Sequence, residues 1–236
     1  MLVLHCTNQT FACMHTFSTI SCSIRTAFRA TTLKPSLTAA YSNCPPTPQL
    51  NMSANTLSIK STLALPNSKY QIPQIGFGVY LSPPPKCVNS CLTAFEAGYR
   101  HIDTAQYYEN EDSVGNALGE SKLPREEVYI TTKILSAGKD ADSTYKKVLD
   151  SVEKLAGKDG YVDLFLIHTP NGGAEARKLM WQALEKAKQE GKVRDIGVSN
   201  YGIQHIEEIK SIGKVWPPTV NQIEVRLASL TYPLLV

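Results

Sequence analysis

VDLFLIH, residues Val162–His168, is an apolar run with one acid near its start and an imidazole at its end. A strand reads this way when it is buried on both faces, as in a parallel sheet covered by helices. The same kind of run recurs in VYITTKI (Val128–Ile134) and VRDIGVSN (Val193–Asn200), and in the shorter RHIDTA (Arg100–Ala105). Between these runs the apolar period changes to that of a helix. Tyr145, Val148, Leu149, Val152, Leu155 and Ala156 form the clearest stripe. Leu179, Met180, Ala183, Leu184 and Ala187 form another, stopped at Gly191. Shorter helices are predicted around Val88–Phe95, Val114–Leu118 and Ile203–Ile212. QIGFGVY (Gln74–Tyr80) opens the series and TVNQIEV (Thr219–Val225) closes it, giving a (βα)₅β pattern of six strands. TLSIKSTLALPNSKYQ, just before, reads as a β-hairpin turning at Pro66-Asn67-Ser68. The pattern is α/β, and two architectures satisfy it: a doubly wound open sheet, or a TIM (β/α)₈-type barrel short of its last strands.

The bulk numbers exclude several classes. The chain has 236 residues, 42% apolar and 19% charged, with a net charge of +3. That suits one soluble domain and gives no footprint for nucleic acid. No apolar stretch approaches the roughly 20 residues a membrane span needs. Of six cysteines, Cys6, Cys13, Cys22 and Cys44 lie early, and Cys87 and Cys91 fall on one predicted helix. This spacing suggests neither a disulfide framework nor a metal site, and fits a cytoplasmic enzyme with reduced thiols. Residues 1–51 contain no Asp or Glu, are rich in Ser and Thr, and place Phe17, Ile20, Ile24 and Phe28 at helical spacing. That is the composition of a mitochondrial presequence, or else Met52 is the true start. The expected division is a disordered leader over 1–55, the α/β body over 56–225, and a tail over 226–236.

Polar residues collect at the ends of the predicted strands. Asp103 and Tyr108 follow the second, Lys133 the third, His168 the fourth, Ser199 and Asn200 the fifth, and Gln222 lies in the sixth. Taken singly, each is an ordinary cap or solvated edge; Asp103 would serve as an N-cap and Asn200 as a turn residue. Taken together, they converge on the edge where α/β folds build active sites. A phenol is a poor acid at neutral pH, and a nearby ammonium lowers its pKa. A buried ammonium in turn requires a counter-charge. Tyr108 as general acid, Lys133 as its tuner and Asp103 as the anchor of Lys133 make a device for protonating an oxygen that gains negative charge. His168 would bond that oxygen. Ser199, Asn200 and Gln222 suit a carboxamide. No G-x-G-x-x-G follows the first strand, and Gly76-Phe77-Gly78 alone reads as a close backbone approach.

These segments resemble the aldo-keto reductase family. The resemblance rests on GYRHIDTAQYYENEDSVGNAL (Gly98–Leu118), ITTKI, LFLIHTP, IGVSNY and VNQIEV, in that order, and spans about Leu57 to Val225. In the first motif an Asp five residues before the catalytic Tyr selects Tyr108 over Tyr107. The resemblance implies an NADP(H)-dependent reductase of aldehydes or ketones on a (β/α)₈ barrel, monomeric if complete, with no metal. It implies a tetrad of Asp103, Tyr108, Lys133 and His168. It also implies a nicotinamide site formed by Gly78, Val79, Tyr80, Asp103, Ser199, Asn200 and Gln222. Val79 and Thr169 depart from residues common in the family. After VNQIEV the chain reads RLASLTYPLLV where family members continue through two more strands. The expectation is therefore a truncated barrel of about six of eight strands, of doubtful activity and weak cofactor binding. The alternative reading is a non-catalytic relative that acts as a binding or regulatory subunit.

Overall fold

The computed structural model describes Leu2–His5 and residues 58–224, which belong to one compact unit. In chain order the elements begin with strand β1 (Leu2–His5), the hairpin β2 (Thr62–Ala64) and β3 (Gln71–Pro73), and β4 (Ile75–Gly78). Helix and strand then alternate: α1 (Pro84–Glu96), β5 (His101–Asp103), α2 (Glu111–Ser121), β6 (Tyr129–Ile134) and α3 (Ala141–Ala156). β7 (Val162–Ile167), α4 (Gly173–Gln189), β8 (Val193–Ser199), α5 (Ile203–Ile212) and β9 (Asn221–Gln222) complete the described chain.

β4 to β9 pair in parallel and in strict sequence order. A doubly wound sheet reverses its strand order at a switch point. No reversal occurs here, so the six strands are the curled sheet of an incomplete (β/α)₈-type barrel. Every residue of β6 and β7 is buried, which accounts for their unbroken apolar character. The helices start and stop where local chemistry directs. α1 opens on Pro84 at its first turn, where a missing N–H costs nothing. α3 opens on a reciprocal capping box between Asp140 and Ser143. The turns after α3 and α4 place Gly157 and Gly191 at φ 77° and 74°.

Two cores result. The larger lies between strands and helices and includes Phe95, Ile130, Val152, Leu155, Phe165, Trp181 and Leu184. The smaller gathers Ile72, Tyr129, Leu164 and Leu166, with Leu65 and Val220 against them. The expected hairpin forms, with Asn67 in the left-handed region at its turn. It is tied to the start of β8 by a Ser68 Oγ hydrogen bond to Asp195 at 2.5 Å. Asp163 and Asp195 are neutralised there by Arg125, Arg194 and Lys188. These ion pairs lie toward the N-terminal ends of the strands, away from the residues singled out above.

Two elements differ from the sequence reading. β9 is shorter than Thr219–Val225, although Thr219 N–H and the Val220 carbonyl already bond to β8. Leu2–His5, inside the segment expected to be disordered, lies parallel to β4 in register Leu2↔Ile75 to His5↔Gly78. An open strand edge presents a row of unpaired donors and acceptors, and an apolar extended segment satisfies them. The rest of that leader and the tail at 226–236 lie outside the described residues.

Candidate active site

The fold brings the strand-end residues to one edge. Asp103 ends β5, Ser199 ends β8 and Gln222 ends β9, while Lys133 stands one residue before the end of β6. His168 and Asn200 follow β7 and β8 directly, and Tyr108 closes a one-turn 3₁₀ helix, Gln106–Tyr108. Register aligns Gly78 with Asp103 and Ser199 with Gln222.

Lys133 is the centre. Its side chain is 1% exposed and that of Asp103 is fully buried. The ammonium donates to Asp103 Oδ1 at 2.6 Å, to the Thr104 carbonyl at 2.9 Å and to the Tyr108 hydroxyl at 3.4 Å. An ammonium has three protons and no acceptor, so all its capacity is used. Tyr108 is therefore the acceptor of that contact, and its own proton remains available to another group. The second oxygen of Asp103 accepts from Gln222 Nε2 at 2.8 Å. A carboxylate only accepts, which fixes the amide so that Gln222 Oε1 points away from it.

The expected lowering of the Tyr108 pKa is corrected. Burial pushes the phenol above its usual value, and the Lys133 ammonium offsets only part of this. Tyr108 thus stays protonated at neutral pH, as an acid must. Burial, aided by Lys133, pushes His168 down to about 4, so its imidazole is neutral. Its Nδ1 is buried without a partner among the described residues. The His168 ring meets Tyr108 edge-on at 5.7 Å between centroids. Tyr80 lies 4.9 Å from Tyr108, and Tyr107 lies 6.3 Å from Tyr80 and 6.0 Å from His168. These four rings cluster at the strand ends.

Ser199, Asn200 and Gln222 form one knot. Ser199 Oγ and Asn200 N–H both donate to the Gln222 carbonyl at 2.9 Å. Asn200 Nδ2 donates to Ser199 Oγ at 3.1 Å and to the His168 carbonyl at 3.2 Å. Asn200 Oδ1 and Gln222 Oε1 make no hydrogen bond among the described residues. Asn200 adopts φ 60°, the left-handed state of a turn residue.

Val79 is committed within the protein. Its N–H donates to the Asp103 carbonyl, and its own carbonyl accepts from Ser82 N–H and Asn110 Nδ2. Its side chain is fully buried. No polar group of Val79 is left for a cofactor. Its neighbours Gly78 and Tyr80 remain beside the site. Sequence reasoning missed Thr104, Gln106 and Asn110, whose hydrogen bonds tie down the turns that carry Asp103 and Tyr108. Their types carry no chemical signal; only their closeness in sequence to Asp103 and Tyr108 does. Among the described residues no group of three or more His, Cys, Asp or Glu side chains is placed to hold a metal ion. No helix there is long and apolar enough to cross a membrane.

Comparison with known proteins gives the family. The sequence profile of the aldo/keto reductase family matches residues 80–231, more than half the chain. The chain is 39% identical over 168 residues to a glyoxal reductase of Bacillus subtilis, covering 71% of this chain and 59% of that one. It is 42% identical over 163 residues to a 9,11-endoperoxide prostaglandin H2 reductase of Trypanosoma cruzi, covering 67% and 55%. A crystal structure of an aldo/keto reductase from Brucella melitensis superposes with TM-score 0.65 at 41% identity, covering 70% of this chain and 62% of that one. A Bombyx mori aldo-keto reductase solved in complex with NADP superposes with TM-score 0.62 at 32% identity, covering 70% and 58%. The chain spans little more than half the length of the curated relatives it matches, 55% and 59% for the two named.

Proposed function

The chain belongs to the aldo/keto reductase family, and from that premise we propose that it carries the proton-transfer machinery of an NADP(H)-dependent reductase of aldehydes or ketones. One observation carries the reading: a buried ammonium whose three protons are shared among a carboxylate, a carbonyl and a phenol that keeps its own proton.

Tyr108 is the proton donor to the carbonyl oxygen. It enters the reaction neutral, because burial holds its pKa up. As the oxygen gains negative charge and takes the proton, the forming phenolate is met by the Lys133 ammonium, so the interaction strengthens toward the transition state. Asp103 keeps Lys133 charged and in place. His168, neutral at physiological pH, supplies a ring N–H to the same oxygen and adds no competing charge. A nicotinamide supplies a hydride when bound. Ser199, Asn200 and Gln222 would hold its carboxamide, since Asn200 Oδ1 and Gln222 Oε1 suit an amide NH₂, and Gly78 and Tyr80 would lie beside it. The B. mori relative binds NADP, which supports that cofactor.

Small dicarbonyls are the first substrates to try, because a relative is named a glyoxal reductase. The assay follows NADPH consumption and alcohol formation with glyoxal and other short aldehydes. It uses residues 1–236 and a fusion carrying the remainder of a relative's barrel. Stoichiometric alcohol from the fusion is expected. Failure of the fusion with every carbonyl, despite bound NADPH, would sink the proposal.

A further inference from the structure

Tyr108 meets Lys133 only if the turn that carries it is held at one height above β5 and β6. Two amides outside the reacting set hold it. Asn110, two residues after Tyr108, is 1% exposed. Its Oδ1 accepts from Thr104 Oγ1 at 2.7 Å, and its Nδ2 donates to the carbonyls of Val79 at 2.9 Å and Ser82 at 3.1 Å. Gln106, two residues before Tyr108, accepts from Leu135 N–H at 3.1 Å. Its Nε2 donates to the Lys147 carbonyl at 3.1 Å and to Ser151 Oγ at 2.9 Å. An amide with both protons and its oxygen engaged has one orientation left.

Asn110 stands at the N-cap of α2, where an Asn side chain ordinarily accepts from the helix's first N–H groups. It makes no such bond. Its amide is spent instead on segments that each touch the Tyr108–Lys133 pair. Thr104 provides the carbonyl that takes one ammonium proton. The stretch from Val79 to Ser82 carries Tyr80, whose ring packs on Tyr108. Glu109 sits between Tyr108 and Asn110 at φ 55°, a backbone state disfavoured for a residue with a Cβ. That reversal brings Asn110 back against Thr104.

We infer that Asn110 is a positioning residue that sets the contact between Lys133 and Tyr108, acting through the Thr104 carbonyl and the Val79–Ser82 loop. It rests on the roles proposed for Lys133 and Tyr108. Helix capping alone would not have drawn the amide away from α2, and a purely structural brace would not converge on both partners of one hydrogen bond.

The test reads the Lys133 ammonium directly, by proton–nitrogen NMR of the lysine side chains in the full chain at neutral pH. Exposed ammonium protons exchange too fast to be seen; one held by three partners exchanges slowly. A Lys133→Met variant assigns the signal. The parent chain is expected to show it and Asn110→Ala to lose it, while circular dichroism and cooperative unfolding persist. A folded Asn110→Ala chain with an unchanged signal overturns the inference. Where Asn110→Ala does not fold, Thr104→Val replaces it, removing only the hydroxyl that bonds Asn110. Ammonium exchange about tenfold faster is then expected, the factor that one lost hydrogen bond is worth. Unchanged exchange in Thr104→Val overturns the inference. A parent chain with no protected ammonium would instead overturn the role given to Lys133, and this inference with it.

Discussion

Asp103→Asn strands a buried ammonium, and the size of the effect can be worked out. At 2.6 Å the Asp103–Lys133 pair attracts by roughly 6 kcal/mol at an effective dielectric of 20. Removing one partner of a buried pair usually costs about 3–5 kcal/mol, because the other charge stays buried. Deprotonation sets a ceiling. Neutralising a lysine of ordinary pKa at pH 7 costs about 4.6 kcal/mol, and the penalty cannot exceed that. The sign with pH follows. Where the variant folds with neutral Lys133 while its unfolded chain stays protonated, the unfolded state binds more protons, so stability rises with pH. The deficit should be about 4 kcal/mol near pH 7 and fall toward about 2.6 kcal/mol near pH 8.5. Urea unfolding of parent and variant at both pH values measures it. A double variant, Asp103→Asn with Lys133→Met, should lose the pH slope, because no stranded charge remains. A loss under about 1 kcal/mol that is flat in pH would refute the reasoning, since it would mean that water reaches Lys133.

Further outcomes are expected elsewhere. In α2, a Cβ on Gly115 would lie 2.0 Å from the Lys154 carbonyl of α3, whereas one on Gly119 meets nothing within 4 Å. Gly115→Ala should cost about 1–3 kcal/mol, and Gly119→Ala should stabilise by roughly 0.5–1 kcal/mol, in urea midpoints. Equal effects would contradict the packing. His101 is fully buried and pushed by burial to about 4. Its unfolded form takes a proton first as pH falls, so stability is full above about 6.5 and falls toward 4, by about 3 kcal/mol. His101→Gln should flatten the acid limb of stability by that amount, and an unchanged limb would contradict the burial of His101.

The barrel strands were legible in the sequence because burial on both faces leaves an unbroken apolar run, as β6 and β7 show. The pattern of runs alone left barrel and doubly wound sheet open, because strand order is a long-range property that no local period encodes; the family resemblance pointed to the barrel, and the strand order agrees. The candidate site groups were legible for the opposite reason. Asp103, Lys133 and His168 are polar residues where an apolar strand gives out, so each stands out against its run. Thr104, Gln106 and Asn110 looked like turn residues, and only their partners reveal what they hold. The Tyr108 pKa went the other way because sequence shows the neighbouring charge and hides the burial. Val79 was carried over by position in a motif, and the structure commits every polar group it has.

The most direct measurement is carbonyl turnover by Tyr108→Phe against its parent, with NADPH affinity measured on the same preparations of the fusion. Loss of the phenolic proton alone should lower kcat by about 10²–10⁴-fold, the range of general acid catalysis, and leave NADPH binding unchanged. Turnover within about twofold of the parent would contradict the assignment of Tyr108 as the proton donor.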